Sequence, residues 1–185
     1  MRLFAERGTT RLTVQELARA AGVARGTVYS HVPSAEGLFE QVAADLTQEM
    51  NQRVLDRLAS HDDPALRLCV GMRAFLGRSH EDPAWARFLV RFAMTERSLA
   101  GLWTGAPAHE IGAGVAAGRF RVRPAQVPSM VALVAGSLLA AMLLVVEGHQ
   151  TWRAATAYVG QLVLRGLGLE DADIEEVLAA CTELA

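Results

Sequence analysis

The chain has 185 residues, 51% of them hydrophobic and 21% charged, with a formal net charge of −2. That length holds one or two small domains with a real core, and that balance excludes a disordered chain. The overall charge gives no nucleic-acid signal, but residues 1–31 set Arg2, Arg7, Arg11, Arg19 and Arg25 against only Glu6 and Glu16, a local excess of cations of the kind that docks on phosphate.

Residues 2–7 precede Gly8 and make at most two helical turns. A helix that short is not stable alone, so Leu3 and Phe4 are expected to pack onto Leu17 and Val28. Residues 13–31 read TVQELARAAGVARGTVYSH. Thr13 caps a helix, and Glu16 three residues on completes a capping box. Val14, Leu17, Ala18 and Ala21 form its apolar face. Gly22 ends it where a left-handed backbone suits glycine. Val23 is expected to plug the core, and a second helix runs from about Ala24 to His31. Its Val28 faces inward, leaving Arg25, Thr27, Tyr29 and Ser30 for solvent or DNA. Two short helices at a tight turn read as a helix-turn-helix. A plain helical hairpin shows the same small residues, but has no reason to collect phosphate- and base-binding side chains on its outer face.

The run LFAERGTTRLTVQELARAAGVARGTVYSHVPSAEGLFEQV resembles the N-terminal DNA-binding domain of the TetR/AcrR family of transcriptional repressors. The motifs are Phe4 and Gly8 before the helix-turn-helix, then Tyr-x-His at Tyr29 and His31, and a segment opening a long fourth helix. Three positions depart from the family pattern. Val32 replaces a phenylalanine, Ala35 replaces a phosphate-contacting lysine, and Ala24 replaces a serine cap, which costs about 1 kcal/mol of helix stability. The family's first helix begins further upstream, so either a basic segment precedes these residues, the favoured reading, or the chain has lost its basic arm; adding one should raise stability and DNA affinity. The resemblance implies an all-α fold: a three-helix DNA-binding domain over residues 1–45, its first helix truncated, and a helical ligand-binding and dimerisation domain over 46–185. It implies DNA contacts from Thr13, Arg25, Gly26, Thr27, Tyr29, Ser30 and His31. Thr13, Tyr29 and His31 would hold phosphates, and Arg25 and Thr27 would read base edges.

Pro33 and Ser34 break the second helix and start another, with Ser34 as cap and Glu36 in the first turn. Leu38, Phe39, Val42, Leu46, Met50, Val54 and Leu58 continue its apolar face, giving a rod of about 25 residues, about 37 Å long. The loop at residues 60–64 ends it. His61 beside Asp62 and Asp63 lacks metal-ligand spacing and reads as a solvated loop with capping acids. Further helices are predicted at residues 65–80, from Asp82-Pro83 onward, at 109–120 ending on Gly118, and at 127–147, 151–167 and 171–184. No alternating strand pattern or phosphate loop appears. GAGVAAG at residues 112–118 lacks the spacing and the preceding strand of a dinucleotide fingerprint. The apolar run from Met130 to Val146 is at the lower limit for a membrane span and has no aromatic belt or arginine cluster, so it reads as a buried bundle helix. Cys69 and Cys181 read as buried free thiols of a cytoplasmic protein, and the first residues show no signal-peptide pattern.

Aromatic and methionine residues cluster at Met72, Phe75, Trp85, Phe88, Phe92, Met94 and Trp103. All but Met94 are candidate walls of a pocket for an apolar or aromatic molecule, with Arg73, Arg87, Arg91, Glu96 or His109 at its edge. Ser79, His80, Glu81 and Asp82 are sequence neighbours and cannot converge as a catalytic triad. No catalytic, metal or cofactor residues are assigned. Ala132, Gly136 and Ala140, beside Ser137 and Ala141, form a small-residue stripe, and Ala155, Val159, Leu162 and Gly166 form another. The resemblance implies that these two helices pair with a second subunit as a four-helix bundle. The expected protein is a homodimeric repressor that binds a double-stranded DNA operator, is released by a small-molecule inducer and has no membrane partner. The competing reading is an all-helical carrier or enzyme with a vestigial DNA-binding end.

Overall fold

Local capping chemistry sets several helix ends. The computed structural model describes residues 1–31, 37–58 and 61–184, without the side chains of His31 and Leu58. Val32, Pro33, Ser34, Ala35 and Ser60, and the side-chain roles expected of His31 and Leu58, therefore lie outside the described residues. Among the described residues all regular structure is helical.

The first three helices are α1 (Arg2–Arg7), α2 (Val14–Ala21) and α3 (Arg25–His31). Gly8 and Gly22 close α1 and α2 with φ of 66° and 67°, the region that only glycine enters cheaply. The rod is α4 (Leu38–Leu58). It runs unbroken through residue 45. Asp63 and Asp82 cap α5 (Pro64–Glu81) and α6 (Pro83–Phe92), each followed by a proline whose missing N–H costs nothing there. α7 (Gly101–Thr104) is a single turn, too short to show a period in the sequence. Then follow α8 (Ala106–Ala116), starting before residue 109, α9 (Val127–Val146), α10 (Trp152–Gly166) and α11 (Asp171–Glu183).

α5 is the hub, packed on α4, α6, α8, α9, α10 and α11. One main core joins these helices, and α1 reaches into it. Phe4 does not pack on Val28. Its ring lies 5.3 Å from Phe39 and 6.3 Å from Phe88, edge-on to both. α1 leans on α6, and the main core offers that ring far more apolar surface than the helix-turn-helix pair does. Ala18 and Val28 are buried outside the main core. Val23 is 41% exposed rather than a core plug, and Ala21 is exposed as well. Among the described residues, α2 and α3 pack chiefly on each other, with Leu17 of α2 also reaching the main core.

Candidate nucleic-acid interface and helical-domain cavity

At the start of α2 the capping box closes in both directions. The Glu16 N–H donates to Thr13 Oγ1 at 3.2 Å, and the Thr13 N–H donates to Glu16 Oε2 at 2.9 Å. The Thr13 hydroxyl also donates to that carboxylate at 2.8 Å, so a phosphate contact from this hydroxyl must exchange that bond. These bonds from the Thr13 backbone and hydroxyl hold the Glu16 carboxyl below the usual carboxylate range. On α3, Arg25, Gly26, Thr27, Tyr29 and Ser30 are all exposed, and Val28 is the buried anchor. Ser30 Oγ donates to the Thr27 carbonyl at 2.9 Å. Apart from the helix itself, no described atom lies within 4 Å of where a Gly26 side chain would start. Arg2, Arg7, Arg11, Arg19 and Arg25 are all exposed.

The second candidate site is a cavity of about 40 Å³ among α4, α5, α7, α8 and α9. That is room for roughly two or three waters and too little for an aromatic ring. Met72, Phe75 and Trp103 stand on its wall, as do Leu68, Leu102 and Leu138. Trp85, Phe88 and Phe92, expected to share this role, do not. They are buried on α6, one layer behind the wall. The expected polar edge is also elsewhere: Arg87, Arg91 and His109 are exposed, and Arg73 Nη1 donates to the Thr182 carbonyl of α11 at 2.9 Å. The polar groups in the cavity are Asn51 and the ion pair of Arg67 with Glu110. Arg67 Nε and Nη2 donate to the two Glu110 oxygens at 2.9 and 2.8 Å, and Glu110 is only 5% exposed. The carboxylate holds the Arg67 guanidinium protonated even more firmly than usual. One sequence signal for this pair existed. Glu110 is in phase with Ile111 and Gly114 on the buried face of α8, where a carboxylate requires a partner.

The wall is tied to α6. The Phe75 ring lies 5.8 Å from Trp85 and 5.7 Å from Trp103, and the Trp103 indole N–H donates to the Ala93 carbonyl, the C-cap of α6, at 3.0 Å. From α6, Phe88 and Phe92 meet Phe39 of α4 at 5.4 and 5.2 Å. Phe88 meets Phe4 of α1, and Arg91 Nη1 donates to the Ala5 carbonyl of α1 at 3.3 Å. A side chain at Gly8 would collide with that guanidinium. Packed aromatic rings and two hydrogen bonds thus connect the cavity to the helix that precedes the helix-turn-helix.

α9 is long and apolar enough to cross a membrane, yet only a third of that stretch is buried in the protomer. Ala132, Gly136 and Ala140 lie outward, among Leu133, Leu143 and Leu144. On α10, Tyr158 and Leu162 lie outward. Ala155 and Val159 are buried inside the protomer and cannot belong to an outer face. Their side of α10 is the one packed on α5, where a side chain at Gly160 would meet Cys69 Sγ. Cys69 and Cys181 are buried free thiols, and burial pushes both upward.

Residues 1–42 match the family described as bacterial regulatory proteins, tetR family, and residues 63–180 match the tetracyclin repressor-like C-terminal domain. An uncharacterised HTH-type transcriptional regulator of Mycobacterium tuberculosis, found in two strains, is 29% identical over 104 residues. That match takes in 56% of this chain, and it spans half the length of those relatives. Three solved structures, each 24% identical, share the fold. RolR without ligand gives a TM-score of 0.68 over 96% of this chain and 91% of its own, and RolR with resorcinol gives 0.69 over 96% and 87%. A protein described as a tetR family transcription regulator from Shewanella sp. PV-4 gives 0.75 over 91% and 94%.

Proposed function

Because the chain belongs to the tetR family of bacterial regulatory proteins, we propose that it is a homodimeric cytoplasmic repressor released from its operator by a small apolar or aromatic molecule. α3 enters the major groove. Arg25 and Thr27 face base edges, while Tyr29, Ser30, Thr13 and, by the family resemblance, His31 hold phosphates. The observation that carries this reading is the outer face of α3. Gly26 sits there in the first turn of α3, and no described atom outside its own helix lies within 4 Å of where a side chain would start. The open space suits the close approach of a DNA backbone.

A gel shift with the DNA upstream of the protein's own gene tests the reading. Tyr29→Ala should weaken binding to operator and random DNA alike, because phosphate contacts position the protein without reading sequence. Arg25→Ala should cost about 1–3 kcal/mol on the operator and relax base preference. An equal loss on both DNAs would remove Arg25 as the base reader.

Release follows from the size of the cavity. A ligand shifts an equilibrium only by preferring one of its states. A cavity of about 40 Å³ admits no ring as it stands, so a ring-sized ligand binds only an expanded form. RolR, of the same fold, has been solved with resorcinol, which supports an aromatic occupant. Expansion presses on Phe75 and Trp103, and both bear on α6. Trp103→Phe keeps a ring on the wall and deletes the bond to Ala93. The ligand should then raise the melting temperature nearly as in the wild type, while the concentration that half-releases DNA rises about fivefold, the worth of one hydrogen bond. An unchanged release concentration would show that the coupling runs elsewhere.

A further inference from the structure

Resting on the ligand-released reading above, we infer that the Arg67–Glu110 pair makes the cavity selective for an uncharged, hydroxyl-bearing aromatic molecule of the phenol type. Apart from Asn51, the rest of the wall is apolar: Val54, Met72, Phe75, Trp103 and leucines among others. The pair is the charged feature in it, and each charge is answered by the other through two parallel hydrogen bonds. Arg67 is further committed through Nη1 to the His61 carbonyl at 3.1 Å. The two Glu110 oxygens accept one bond each from Arg67, and a carboxylate accepts about four in all. A ligand hydroxyl therefore finds an acceptor in Glu110.

Charged ligands find no such place. A carboxylate would meet Glu110 across a mostly apolar-walled cavity, with Arg67 already paired. An ammonium would meet Arg67 with the Glu110 charge already answered. In both cases the ligand loses its hydration with no counter-charge to replace it. A hydrocarbon of the same shape leaves the Glu110 acceptor unmet, and gains only burial.

Four probes of similar size separate these cases: phenol, toluene, benzoate and benzylammonium. Each is titrated into the full-length protein by calorimetry and thermal shift, and into its operator complex by gel shift. Phenol should bind about tenfold more tightly than toluene, because its hydroxyl bonds to a charged group. Benzoate and benzylammonium should bind more weakly than either. Glu110→Gln unpairs Arg67, so the preference should invert: benzoate gains about tenfold or more from the freed guanidinium while phenol loses its charged acceptor, and benzoate overtakes phenol. Should an unpaired Arg67 unfold that variant, the double variant Arg67→Met with Glu110→Leu removes both charges, a replacement that buried pairs often tolerate. It should bind toluene as tightly as phenol. Wild-type protein that binds benzoate or toluene as well as phenol overturns the inference alone, as does a double variant that still prefers phenol. If none of the four probes stabilises the protein or releases DNA, the ligand reading fails and this inference with it.

Discussion

Phe88→Ala is expected to cost about 3–5 kcal/mol of stability, the range for emptying a buried aromatic site. Phe88 has no exposed surface. Its ring lies 6.3 Å from Phe4, 5.4 Å from Phe39 and 5.2 Å from Phe92, so it is held by rings from α1, α4 and its own helix. Ring pairs of this geometry contribute about 0.5–1.5 kcal/mol each beyond the area they bury. Three helices cannot all move in to fill the void, so relaxation recovers little. The melting temperature should fall by roughly 10 °C for a chain of this size, compared at fixed protein concentration. Met94→Ala, two residues past α6 and 60% exposed, is the control and should stay within about 0.5 kcal/mol. Operator affinity should fall as well, because Phe4 is the anchor that holds α1 to α6. A loss under about 1.5 kcal/mol, well below the range for an emptied aromatic site, would mean that the four rings are not the joint between the two parts of the chain.

What was legible in the sequence follows the range of the forces involved. The Thr13–Glu16 capping box, the turn at Gly22, the start of α6 at Asp82-Pro83 and the end of α8 before Gly118 were all readable. Each is settled among residues four or fewer apart, by cap geometry and glycine's freedom at positive φ. Partners far apart in the chain were not readable. Phe4 finds Phe88 rather than Val28 because α1 tips onto α6, which no local pattern encodes. Arg67 and Glu110 are 43 residues apart, and each alone looks like an ordinary charged residue on an amphipathic helix. The aromatic cluster divided for the same reason: Met72, Phe75 and Trp103 reach the cavity, while Trp85, Phe88 and Phe92 sit behind it. On α10 the small-residue stripe was ambiguous in principle, since close packing within a protomer and between protomers asks for the same residues. Ala155 and Val159 went inward, and Leu162 and Tyr158 went outward.

That outward face leads to the largest functional effect expected of a single substitution. Leu162→Asp should separate the proposed dimer and lower specific operator affinity by about 10³-fold or more, to the level of random DNA. Leu162 is 64% exposed in the protomer, one turn from exposed Tyr158 on a helix that packs on α9, where Leu133, Leu143 and Leu144 are exposed too. Apolar side chains this exposed along two neighbouring helices call for a cover, and in the proposed dimer a second copy supplies one by placing the same face against itself. The two-fold axis then doubles the insult: one substitution buries two carboxylates, each without a partner, at several kcal/mol apiece. The protomer itself should still fold, because the Leu162 side chain stands mostly in solvent. Gly136→Glu is an independent check, since no described atom outside its own helix lies within 4 Å of where that side chain would start. Light scattering should give the mass of two chains for the wild type and one for either variant. A single chain carries one α3 and reaches one half-site, whereas specific binding needs two, about 34–36 Å apart. A wild type that is a single chain at micromolar concentration would overturn the two-half-site mechanism. A Leu162→Asp protein that stays paired and holds its operator undiminished would place the interface on another face.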